Sequence, residues 1–189
     1  MSYISRGNIA DDINELDKML ADKNYIVKSI ISDNGKAPCI ILYDDDQLED
    51  LKTLCCSGQS IVGIDKTVNL CEMHVTASCY KNTSVYMDNP GEPPILLGPI
   101  FIHDNSDFES YSNFFNHLRV KLISTDTSNL VSGSDEEYAL VSSIQASFPE
   151  AGHIHCMRHL RLNIKHKLTD ECMDKPDRET IKGKLSIDL

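Results

Sequence analysis

The sequence predicts an α/β domain with one mixed sheet, in which a three-stranded meander is followed by alternating helices and strands, and a small N-terminal α/β extension precedes it. Three observations predict this. Ile61–Ile64, leading into Asp65, Met73–Tyr80 and Ile95–His103 read as extended runs joined by connections short enough for antiparallel neighbours. From Phe108 onward, apolar residues at helical spacing alternate with short extended runs, as crossover units require. Gly58 is a natural break before this pattern, so the expected division is 1–58 (extension), 59–170 (core) and 171–189 (polar tail).

In the extension, Ile9, Ile13, Leu16 and Leu20 recur at helical spacing, with Asp11, Asp12, Glu15 and Asp17 mostly opposite. Tyr25–Ile31 reads as a strand closed by the turn signal Asp33-Asn34-Gly35, and Cys39–Tyr43 as a buried strand. Asp44, Asp45 and Asp46 offer caps for a short helix through Leu48, Leu51 and Leu54. Past the meander, a helix places Phe108, Tyr111, Phe115, Leu118 and Leu122 on one face. Asn129–Ser132 is a short strand ending in Gly133-Ser134-Asp135, and Ser134 and Glu137 stand three apart as in a capping box. The next helix carries Leu140, Val141, Ile144 and Phe148 and stops at Pro149. A brief strand, His153–Cys156, leads to a last helix with Leu160, Ile164 and Leu168 facing inward. The order strand, strand, strand, helix, strand, helix, strand, helix is that of an RNase H-like fold.

Composition narrows the function classes. No stretch approaches the about 18–20 apolar residues needed to cross a bilayer, and the amino terminus lacks a secretory core, so a nuclear or cytoplasmic, non-secreted protein is expected. Seven cysteines, an odd count with no compact spacing, read as reduced structural thiols. A net charge of −11 opposes indiscriminate nucleic-acid binding but leaves room for a local basic face.

Asp65 follows apolar strand residues, where a carboxylate is costly without a cation or hydrogen bonds. Asp135 stands just after the fourth strand of the core. In the expected topology the first and fourth strands of the core lie side by side, so the two aspartates converge at one edge and can hold magnesium or manganese through oxygen ligands. The chemistry would be two-metal phosphoryl transfer: one ion activates a water or a DNA 3′-hydroxyl, the other stabilises the leaving oxygen. From pattern alone, Asp135 is equally a first-turn acid and Asp65 a strand-end turn residue. Cys156 and His159, three apart on one helical turn, are compatible with half of a zinc site, which needs four ligands; of His153 and His155, at most one is expected to join them. Arg158, Arg161, Lys165 and Lys167 crowd the last helix, and helical spacing sets Arg158, Arg161 and Lys165 opposite the Leu160–Ile164–Leu168 stripe, a face that suits a DNA backbone or plain solvent.

The stretch Gly63-Ile64-Asp65-Lys66-Thr67-Val68-Asn69-Leu70 resembles the first catalytic block of Mutator-like element (MULE) transposases, a strand ending in aspartate followed by Thr-Phe-Asn. Ser134-Asp135-Glu136-Glu137-Tyr138-Ala139-Leu140 resembles their second block. Phe148–His153 followed by Cys156–Asn163 is similar to the block that carries the family's Cys-x-x-His element. Leu97–Ile100 and Tyr111–Phe115 also fit the family pattern, and Pro38–Gln47 is similar to its lead-in, so the resemblance covers about residues 38–170.

The resemblance implies that Asp65 and Asp135 are the first two acids of an Asp-Asp-Glu triad. It further implies DNA strand cleavage and transfer with Mg or Mn, transposon ends or a derived target as the DNA partner, and a homo-oligomer as a candidate state. Two departures qualify the match. Val68 stands where the family has phenylalanine, and the chain stops at Leu189, before the insertion and helix that carry the third acid. Glu171, Asp174 and Glu179 sit in no recognisable third block. The alternative expectation is a catalytically inactive, transposase-derived module that binds DNA or protein.

Overall fold

The computed structural model describes residues 26–31, 39–70, 73–85 and 92–170, with isolated positions 18, 21, 176, 177 and 180. The helix expected around Ile9–Leu20 lies outside the described residues, as does most of the 171–189 tail. What is described is a mixed α/β fold. Its strands are β1 (Val27–Ile31), β2 (Cys39–Leu42), β3 (Val62–Leu70), β4 (Met73–Lys81), β5 (Ile95–His103), β6 (Val131–Ser134) and β7 (Gly152–His155). Its helices are α1 (Asp45–Asp50), α2 (Phe108–Lys121), α3 (Tyr138–Ser147) and α4 (Met157–Asp170).

All seven described strands join one sheet in the order β1-β2-β5-β4-β3-β6-β7. β3, β4 and β5 form an antiparallel meander, and β6 and β7 add in parallel beyond β3. β1 pairs antiparallel with β2 and β2 with β5, so these two strands lengthen the same sheet rather than standing apart from it.

The helix ends follow from local chemistry. Asp44 caps α1: its carboxylate accepts the Gln47 backbone N–H at 2.7 Å while Gln47 Oε1 accepts the Asp44 N–H at 2.9 Å. After Asp50 the helix widens into a single π-helical turn, Leu51–Cys55, which buries Leu51, Leu54 and Cys55. Gly58 ends it at φ 80°, in the left-handed region where a side chain is strained. Burial pushes the Cys55 thiol up to about 12, keeping it an inert packing group, and none of the five described cysteines is in a disulfide.

α2 and α3 cover one face of the sheet, where Tyr111, Phe114, Phe115, Leu118, Leu140, Ile144 and Phe148 pack on Ile41, Val62, Ile64 and Phe101. Two expectations for α2 need correction. Phe108 is 49% exposed whereas Phe114 is fully buried. Asp107 is the N-cap, so Phe108 opens the helix beyond the edge of the core, while Phe114 falls between Tyr111 and Leu118 on the inward stripe. In the last turn of α2, Arg119 reaches both Thr127 Oγ1 and Glu150 Oε1 at 2.6 Å, fastening the helix to the turn that follows α3.

His103 is fully buried on the same face, with Nε2 2.8 Å from Thr76 Oγ1 and Nδ1 2.8 Å from the Asn105 carbonyl. Burial holds its pKa below the usual histidine value, as it does for His117 and His153. An unfolded chain takes up protons from about pH 6.5 downward, and these rings, His103 fully buried and His117 and His153 half-buried, resist until lower pH. Their contribution to stability is therefore complete above that value and is lost as pH falls toward the depressed folded values. The urea midpoint is expected to drop between about pH 7.5 and about pH 5.5, and His103→Asn to flatten that slope. An unchanged slope in the variant would remove His103 from the account.

Candidate active site

Asp65 lies within β3, opposite Ala77 of β4, and Asp135 immediately follows β6. β3 and β6 pair in parallel, Val62 with Ser132 and Gly63 with Gly133. Both aspartates stand two residues beyond the second of those pairs, so the register, continued, sets Asp65 beside Asp135. Alternation along β3 sends Asp65 to the sheet face opposite Ile64 and Lys66, away from α2 and α3. The strands approach that face closely: a Cβ on Gly63 would sit 3.0 Å from Cys79 Sγ, and one on Gly133 3.3 Å from the Ile154 side chain.

The Asp135 carboxylate is oriented locally, with Oδ1 accepting the Glu137 backbone N–H at 3.2 Å. The capping box expected from Ser134 and Glu137 does not form. α3 starts at Tyr138 with Glu137 itself as N-cap, and the Ser134 hydroxyl donates instead to the Asp135 carbonyl at 2.8 Å. Released from capping, the Glu137 side chain turns under the sheet. It meets Lys66 Nζ at 3.2 Å, and the buried Tyr111 hydroxyl donates to both of its oxygens at 3.2 Å. Lys66 also reaches Ser106 Oγ at 3.3 Å. No sequence pattern assigns this role to Lys66 or Glu137; the only signal is that each adjoins an aspartate-bearing segment.

α4 supplies the remaining side chains. The Cys156 N–H donates to the Ser134 carbonyl at 2.7 Å, so the first turn of α4 stands at the end of β6. His159 Nε2 then lies 3.9 Å from Asp65 Oδ1, and His159 Nδ1 is enclosed without a hydrogen-bond partner. Cys156 is a half-buried free thiol. His153 and His155 project to the same side, with ring centroids 5.4 Å apart, because residues two apart on a strand share a face; the expectation that at most one of them could join Cys156 and His159 treated them as lying on opposite faces and is corrected on that ground. Among the described residues, no three His, Cys, Asp or Glu side chains are grouped to hold a metal ion. By donor chemistry alone, carboxylates such as those of Asp65 and Asp135 suit Mg or Mn, and a thiol with an imidazole, such as Cys156 and His159, suits Zn.

Arg158, Lys165 and Lys167 are exposed on α4. Arg161 is not on that outward face: it is half-buried, and its Nε is enclosed. The reason is helical geometry, since a residue seven before Leu168 is two turns below it and shares its stripe. Among the described residues, no helix is long and apolar enough to cross a membrane.

Fold and site together define a mixed α/β protein with one aspartate within β3 and another immediately after its parallel neighbour β6. No protein-family model and no curated protein matches the chain.

Proposed function

We propose that this chain is an RNase H-like domain of the MULE transposase type, acting on DNA through a divalent-cation site built on Asp65 and Asp135. The observation that carries the reading is the parallel β3–β6 pairing, whose register runs toward two aspartates separated by most of the core sequence. The strand order supports it: the first strand of the meander is flanked by the second, antiparallel, and by β6, parallel, with β7 beyond. A bound cation would supply positive charge against a scissile phosphate. The chain's own contribution is to orient the two carboxylates, one through the register of β3 and the other through the Glu137 N–H, and to present Arg158 and Lys165 nearby for phosphate contacts.

The test is Mn²⁺ titration by calorimetry, followed by nicking of supercoiled DNA. Asp65→Asn and Asp135→Asn are each expected to weaken Mn²⁺ binding beyond the about 10–100-fold that loss of an outer-shell partner costs. Mn²⁺ affinity in Asp135→Asn equal to that of the unaltered protein would end the proposal.

A second reading, a non-catalytic module that binds DNA, is favoured by one feature: the described side chain that approaches Asp65 from α4 is His159 rather than a third acid. DNA binding that survives Asp65→Asn, with no metal-dependent nicking by the unaltered protein, would select it.

A further inference from the structure

We infer that Glu137 is the positioning residue that holds Asp65 and Asp135 in register, acting through Lys66 from the opposite side of the sheet. The inference rests on the aspartate pair proposed above. Glu137 touches both aspartate-bearing segments at once. Its backbone N–H donates to Asp135 Oδ1 at 3.2 Å, and its carboxylate meets the ammonium of Lys66, the residue that follows Asp65, at 3.2 Å.

The surroundings fix Glu137 in turn. The Tyr111 hydroxyl donates to both Glu137 oxygens, and burial raises the tyrosine's pKa, so it remains a proton donor. Tyr111 is itself fully buried, with its ring edge-on to His103 at 5.2 Å between centroids. Lys66 has a second partner in Ser106, in the loop before α2. The side chains of Lys66 and Glu137 keep only 32% and 21% of their exposure, so the pair is screened less than a surface pair.

Geometry makes this arrangement consequential. The ladder between β3 and β6 comprises only Val62↔Ser132 and Gly63↔Gly133, ending two residues short of the aspartates. Beyond that point no β3–β6 backbone pairing fixes one carboxylate relative to the other. The Lys66–Glu137 ion pair spans that gap one residue past Asp65 and two past Asp135. It lies on the α2–α3 side, so it leaves the aspartate face open to a ligand.

The experiment uses the full chain with Glu137→Gln, which keeps the bond from Tyr111 but removes the charge, the conservative Lys66→Arg, and the reversal Lys66→Glu/Glu137→Lys. Two readouts are taken: Mn²⁺ affinity, and amide hydrogen exchange without metal. Glu137→Gln is expected to weaken Mn²⁺ binding about tenfold and to speed exchange at Lys66 and Glu137 about tenfold, with β4–β5 amides unchanged. Lys66→Arg is expected to stay within about twofold of the unaltered protein, and the reversal to recover most of the affinity. Unchanged exchange and unchanged Mn²⁺ affinity in Glu137→Gln overturn the inference. If the unaltered protein binds no Mn²⁺, the cation reading fails, and the exchange measurement alone decides whether Glu137 holds the two segments together: local acceleration upholds it and none refutes it.

Discussion

Phe114→Ala is expected to lower the free energy of unfolding by about 3–5 kcal/mol, a large share of the about 5–15 kcal/mol that holds a domain of this size together. Phe114 is fully buried, stacked on Phe101 with centroids 5.2 Å apart and planes within 10°, and tilted against Phe115 at 5.1 Å. Phe101 in turn stacks on His103 at 4.6 Å, so the ring column runs from α2 onto the sheet. Phe114 also lines a void of about 40 Å³ bounded by Val62, Ile64, Leu118 and Ile144, so truncation enlarges a defect the core already carries. Urea unfolding measures the effect, with Phe108→Ala as the comparison. Phe108 is 49% exposed, and its truncation is expected to change stability by about 0.5 kcal/mol or less. Equal costs for the two would show that α2 is rotated from the orientation described.

If the chain acts on DNA as proposed, reversing two charges on α4, Arg158→Glu with Lys165→Glu, is expected to weaken that binding by about tenfold or more near physiological salt. The two residues are seven apart, two helical turns, and both are exposed, so a phosphate backbone can meet them together. With a net charge of −11, the rest of the molecule repels DNA, and each local cation therefore weighs heavily. The slope of log affinity against log salt should shrink by roughly 0.9 for each phosphate that the variant no longer neutralises. Arg161→Ala separates surface charge from packing: with its Nε enclosed, that change is expected to lower stability more than DNA affinity. Undiminished DNA binding by the double reversal would remove α4 from the interface.

The fold is legible in the sequence where periodicity and turn chemistry agree. The meander, the capped helix after Asp44 and the alternation of helices with strands beyond His103 all follow from patterns confined to neighbouring residues. The adjacency of β3 and β6 follows from the expected element order rather than from any local pattern, and the parallel pairing of Gly63 with Gly133 agrees with it. The misreadings, by contrast, come from local patterns. Ser134 and Glu137 satisfy a local capping rule, yet a distant lysine and tyrosine compete for the glutamate and win. Spacing from Arg158 and Lys165 places Arg161 outward, although its spacing from Leu168 argues for the inward stripe. For the candidate site, both aspartates are readable from the sequence, although Asp65, read as ending its strand, lies within β3, whereas the Glu137–Lys66–Tyr111 cluster draws on three elements and has no signature in any one segment.

The junction of β3 with β6 also governs when the site comes into being. The meander supplies Asp65 and the helical half supplies Asp135, so the cation site proposed above would exist in neither part alone. Only after the chain has closed the long loop from Gly63 to Gly133, an entropic cost met at assembly, do the carboxylates become neighbours. A divalent ion lodged there would recognise the finished molecule and ignore every partly folded form, drawing the population toward completion by mass action.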